Sequence, residues 1–292
     1  MSALAGLLLT AALVLLGGGL VLAAAAAALR SAAAVRLALS DGSAEAASPV
    51  GAIRATDVVH WAALAGAATL LGSLAARTAA TGHAPWSNLH EFSAAFAAAL
   101  LLAYAALERR HPLRPLSPVV AAIAVGLVLL ALSFEGRIDP LVPALQQPLL
   151  LTVHVGSAVV AYAVSGIAFA AALGELVQRR AGGAVSALPS AEACRAVAHR
   201  SVLIAFPILT LAIVLGSVWA NLAWRSYWSN DPKELAAAAT WLVFGAYLHV
   251  AGRRDRWAAL GPWLIVLGFA GVLFTYLAAS LVFVGEHSYA AP

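Results

Sequence analysis

The chain has 292 residues, 63% of them hydrophobic and only 10% charged. A soluble domain is nearer half apolar and about a quarter charged, so the composition specifies an integral membrane protein. The net charge of +4, with basic residues scattered between apolar runs, excludes a nucleic-acid-binding surface, and the single cysteine, Cys194, excludes an internal disulfide and both Cys-x-x-Cys and Cys-x-x-Cys-His motifs.

A membrane-spanning helix needs about 20 mostly apolar residues. Eight segments meet that need: 3–29, 57–76, 88–107, 117–134, 149–177, 201–222, 234–251 and 257–284. The first has no positive charge before Arg30 and is longer than a signal-peptide core, so it is expected to be a retained span. Thr56 and Asp57 suit the start of the second helix, and Asn88 and Glu91 the start of the third. The fifth and eighth segments are long enough to tilt. No segment alternates like a strand, and a backbone in lipid must satisfy its own hydrogen bonds. The expected fold is an all-α polytopic membrane bundle of about eight helices, forming a single membrane domain over 1–292.

Charge orients this bundle. With the N-terminus outside, thirteen arginines fall on the cytoplasmic side, and only Arg77, Arg137, Arg225 and Lys233 fall outside. That bias predicts extracytoplasmic termini. It makes 178–200 a cytoplasmic linker and puts "GSVWANLAWRSYWSNDPKEL", 216–235, on the extracytoplasmic face.

That stretch holds Trp219, Trp224, Tyr227 and Trp228 ahead of "DPKE". Two structural explanations are available. Tryptophan and tyrosine favour membrane interfaces. Asp231, Pro232 and Glu234 have the spacing of a helix start with a capping box. The aromatic density suggests a further role. Trp224 and Trp228, four apart, would share a face if helical, and Trp219 lies near it. Such a shelf could hold a large planar apolar ligand.

"VWANLAWRSYWSNDPKE" resembles the tryptophan-rich WWD motif of haem-handling proteins, and most closely that of the CcsA/ResC family of System II cytochrome c biogenesis. The family pattern is approximately W-A-x-x-x-W-G-x-Y-W-x-W-D-P-K-E. Trp219, Ala220, Trp224, Tyr227, Trp228, Asp231, Pro232, Lys233 and Glu234 match it. Arg225 stands where glycine is usual, and Asn230 where tryptophan is usual. The resemblance continues upstream in "APWSNLHEF", where His90 replaces a tyrosine, and covers a haem-handling core over 57–292.

Eight histidines are present. His154 and His287 fall at the same expected membrane level as the aromatic stretch, and neutral imidazole is a good axial ligand for haem iron. The resemblance implies the same pair, flanking the WWD segment as the ligands of an outer haem b. It also implies an inner haem site at His249, about 22 Å deeper along its helix, whose second ligand would come from a partner. His60 lies at a similar depth, where a structural role is favoured; His90 is expected to serve as a hydrogen-bonding group.

The resemblance further implies a haem-handling subunit of a cytochrome c synthase in the bacterial cytoplasmic membrane, or the thylakoid in plastid relatives. Its partners would be a Ccs1/ResB-type membrane protein, an apocytochrome c and, indirectly, a thiol-reducing pathway. Trp219, Trp224, Tyr227, Trp228 and Asp231 would contact haem, and Arg225 could pair with a propionate or crowd a close approach. A haem exporter or binding paralogue without attachment activity, a CcmC-like protein and a non-haem permease or scaffold are the alternatives. No side chain stands out as a nucleophile or general acid–base pair, because the attacking sulfurs would belong to the apocytochrome.

Overall fold

The computed structural model describes residues 1–41, 50–134, 136–138, 141, 145, 148–252, 259–278, 281–283 and 285. His287 lies outside the described residues. Among the described residues there are eight α-helices: α1 Ser2–Asp41, α2 Val50–Thr81, α3 Leu89–Glu108, α4 Ser117–Ser133, α5 Pro148–Arg180, α6 Ala191–Trp224, α7 Pro232–Ala251 and α8 Gly261–Leu273. Seven contain spans long and apolar enough to cross a membrane. The eighth continues as a π-helical turn, Phe274–Ala278, and is shorter than the others among the described residues. The protein is thus a polytopic helical membrane protein.

Helix α5 is the axis. In its most apolar stretch 67% of residues are buried, against 22% in α1 and α7. It packs on α3, α6 and α8, while α1 lies along α2, and α7 packs on α6 and α8. Small residues permit this. Ala161, Ala163, Ala168, Ala170, Ala171 and Ala172 are buried along α5, and small side chains let backbones approach closely where lipid supplies no hydrophobic drive for association.

Several helix ends follow local rules. Asn88 caps α3 by accepting from the Glu91 N–H, and Ser190 caps α6 by accepting from the Ala193 N–H. The expected start of the second helix is corrected. Helix α2 begins at Val50, so Thr56 and Asp57 lie inside it. Asp57 instead pairs with Arg114 at 3.3 Å. Helix also extends into the polar 178–200 segment, because α5 runs to Arg180 and α6 begins at Ala191.

The start of α3 is held by a buried ion pair. Arg77 Nε donates to Glu91 Oε1 at 2.7 Å, and both residues are buried. Arg77 Nη1 and Nη2 donate to the Gly136 and Arg137 carbonyls, each at 2.6 Å. Glu91 Oε2 accepts from the Ser87 N–H and hydroxyl at 2.9 and 2.7 Å. One guanidinium therefore joins the end of α2, the start of α3 and the segment after α4.

A candidate functional cavity beside the aromatic stretch

Helical stripes from α5 and α6 form the two long walls of a cavity. Leu151, His154, Val155, Ala158 and Tyr162 line it from α5, and Leu209, Ala212, Ile213, Gly216 and Ala220 from α6. Both sets recur at three- and four-residue steps, the period of one helix face. The 86–92 segment, the first turns of α7 and the π-helical turn after α8 complete the walls. About 1190 Å³ of space lies between them, the open mouth and adjoining solvent included.

His154 is the strongest chemical feature here. Its Nδ1 lies 2.8 Å from the Ala212 carbonyl. A carbonyl only accepts, so Nδ1 carries the proton and the lone pair is on Nε2. A second hydrogen bond that fixes tautomer and ring orientation is the usual arrangement behind a metal-ligating histidine. The ring lies nearly parallel to Trp219, at 11° and 6.1 Å between centroids. Gly216 makes room for it, since a Cβ there would sit 2.6 Å from His154 Cε1.

The aromatic residues divide into two roles. Trp219 is buried, and Tyr227 and Trp228 are exposed at the cavity wall. Trp224 is not part of that wall. It meets Trp219 edge-on at 4.7 Å and 75°, and packs with Leu145 and Leu151 behind it. The expected helical pairing of Trp224 with Trp228 is corrected, because α6 ends at Trp224 and Trp228 lies beyond it.

The helix ends there because Arg225 is left-handed, with φ of 61°, and its N–H closes the helix on the Asn221 carbonyl. Asn230 has the same φ, and its Oδ1 accepts from Trp228 Nε1 at 2.9 Å. Glycine adopts this conformation without steric cost, asparagine tolerates it and arginine does not. Arg225→Gly is therefore expected to raise stability by roughly 1 kcal/mol, measured by thermal unfolding in detergent. A loss of stability on that change would contradict this account. Arg225 and Asn230 are exposed and neither lines the cavity.

The "DPKE" capping box forms as its spacing predicts. Asp231 accepts from the Lys233 N–H at 2.8 Å, and Glu234 Oε2 accepts from the Asp231 N–H at 3.2 Å. Glu234 also gathers Ser229, through its N–H at 2.9 Å and its hydroxyl at 3.3 Å. Asp231 thus shapes the turn, while Lys233 and Glu234 reach the cavity wall.

The other described histidines do not line the cavity. His249 is exposed in the last turn of α7, about 24 Å along the helix from Lys233. His60 is buried, 2.8 Å from the Tyr104 hydroxyl, and His90 donates to the Ala131 carbonyl at 2.8 Å. Sequence reasoning missed Tyr162 and Tyr276 in the walls. Tyr162 could have been found on the α5 stripe of His154. Tyr276 could not, because the π-helical turn shifts the register of side chains after Leu273. It stacks on Phe92 at 5.1 Å and 23°, and its hydroxyl bonds to Ser93.

Comparisons with known proteins agree with this picture. Residues 86–287 match the family model described as Cytochrome C assembly protein. A cytochrome c biogenesis protein CcsA of Parasynechococcus marenigrum (strain WH8102) is 34% identical over 256 residues, covering 75% of this chain and 82% of the relative. A CcsA of Prochlorococcus marinus (strain MIT 9303) is 32% identical over 260 residues, covering 75% and 80%. A solved structure titled Cytochrome c Heme Lyase CcmF superposes with a TM-score of 0.63 at 23% identity, over 94% of this chain and 46% of that one. That likeness supports the fold, and this chain spans under half of the larger protein. The family match over most of the cavity-forming helices, with the CcsA relatives, shows that the chain belongs to the Cytochrome C assembly protein family as a CcsA-type cytochrome c biogenesis protein.

Proposed function

We propose that this protein is the haem-handling subunit of a System II cytochrome c synthase, and that the His154 cavity is where haem is presented for attachment. The observation carrying this reading is His154 itself. Its hydrogen bond to the Ala212 carbonyl puts the ligating lone pair on Nε2, beside Trp219, in an aromatic cavity. Haem is the substrate. His154 and His287 would be its two axial ligands, occupying both faces of the iron and limiting reaction with oxygen. Trp219, Tyr227 and Trp228 would lie against the macrocycle, with Trp224 and Asp231 supporting them. His249 would belong to an inner site on the route outward, completed by a ResB-type partner.

The attachment step requires little acid–base chemistry from the protein. Each thiol of an apocytochrome Cys-x-x-Cys-His segment adds across a haem vinyl group, sulfur bonding to one carbon and hydrogen to the other. Two thioethers form with no net oxidant. The protein's contribution is placement, which raises the effective concentration of vinyl and thiol. The basic-residue bias supports an extracytoplasmic cavity, where the apocytochrome would meet it. Arg225 and Asn230 stand outside the cavity walls, so the two departures from the motif give no reason to prefer a paralogue without attachment activity.

The test is a visible spectrum of the protein purified with its ResB-type partner and supplied with haem, followed by reconstitution with an apocytochrome. A low-spin bis-histidine Soret band with resolved α/β bands and a thioether product are expected. A folded complex that retains no haem would overturn the reading; bound haem without product would favour the binding-protein alternative.

A further inference from the structure

The cavity wall carries one lysine that forms no close ion pair among the described residues. Lys233 lines the wall in the first turn of α7, where the helix dipole disfavours positive charge. It makes no ion pair or side-chain hydrogen bond among the described residues. The carboxylates beside it in sequence make their hydrogen bonds elsewhere, and Asp231 opposes its charge only through space. Asp231 Oδ1 accepts from Lys233's own N–H, and Glu234 Oε2 accepts from Ser229 and Asp231. A second donor lines the same cavity. Trp86 lines the cavity, and its buried indole N–H meets no acceptor.

Lysine and indole are both donors only. A buried donor without an acceptor is costly. Two such donors line the cavity, where the Glu234 carboxylate is already held by Ser229 and Asp231, so a ligand that brings its own acceptors would satisfy them. We propose that Lys233, assisted by the Trp86 indole N–H, receives a propionate carboxylate of the haem bound in this cavity. This rests on the haem reading above. It gives the macrocycle an orientation, because the propionates lie on one edge of the ring and the vinyl groups elsewhere on its perimeter. Lys233 is then a positioning residue rather than a catalytic one.

The experiment compares haem with its dimethyl ester, in which both propionates are neutral, binding to the full chain with its partner. Unaltered protein is expected to bind haem about tenfold more tightly than the ester, the scale of one charge-assisted hydrogen bond. Lys233→Met should lose most of that preference by weakening haem and not the ester, with the Soret position unchanged because the iron ligands remain. Lys233→Arg should keep the preference, and Trp86→Phe should reduce it about two- to threefold. Equal binding of haem and ester by the unaltered protein overturns the proposal without any substitution. So does a Lys233→Met protein that still prefers haem to the same degree. Failure of the unaltered complex to bind either compound overturns the haem reading itself.

Discussion

Arg77→Met is expected to lower the unfolding free energy by about 3–5 kcal/mol, the cost of leaving one member of a buried ion pair alone. Arg77 and Glu91 are 6% and 1% exposed, so water cannot replace the lost partner. The change also strips donors from the Gly136 and Arg137 carbonyls. Glu91→Leu should cost a similar amount, since it leaves the guanidinium without its carboxylate and Ser87 without its acceptor. The double change, Arg77→Met with Glu91→Leu, should be less harmful than the sum, because no buried charge remains. Unfolding of all three variants in detergent would measure the coupling. Single changes within about 1 kcal/mol of the unaltered protein, the range of exposed pairs, would show that the pair is dispensable. The consequence reaches function, because Ser87 and its neighbours Trp86 and Asn88 belong to the cavity wall.

Much of the fold was legible because its causes are local. Apolar length gave the spans, and the Asp231–Glu234 spacing gave the capping box that starts α7. His154 was legible from its apolar surroundings and its expected level beside the aromatic stretch. What stayed hidden depends on contacts between distant segments. The Arg77–Glu91 pair joins two helix ends across a turn, and nothing in either helix's periodicity announces it. The role of Arg225 was hidden for another reason. A missing glycine can mean a lost approach to a ligand or a lost left-handed turn, and only the φ of 61° chooses the second. The same turn removed Trp228 from the helix, so an i, i+4 argument that needs continuous helix did not apply. Lys233 was noted only as part of a motif match, because its place in the cavity wall is a property of the fold.

Under the proposed function, His154→Gly is expected to lower haem affinity at least about 100-fold in the complex with the proposed ResB-type partner, and to abolish its low-spin spectrum. Changes to groups that merely orient a ligating histidine cost about 10–100-fold, so loss of the ligand itself should exceed that range. The glycine variant leaves space where the ring stood, and added imidazole should restore part of the low-spin signal by supplying the missing nitrogen. Gly216→Ala provides an independent perturbation that leaves His154 in place. Its Cβ would fall 2.6 Å from His154 Cε1 and 3.0 Å from Nδ1, so the ring must tilt and weaken its bond to Ala212. A loss of roughly tenfold is expected, and imidazole should not rescue it, because the histidine still occupies the site. A pair of variants with unchanged spectrum and affinity would remove His154 from the ligand set. The opposite imidazole responses separate a ligand from a bystander, since filling space near a histidine that binds nothing would not shift the iron's spectrum.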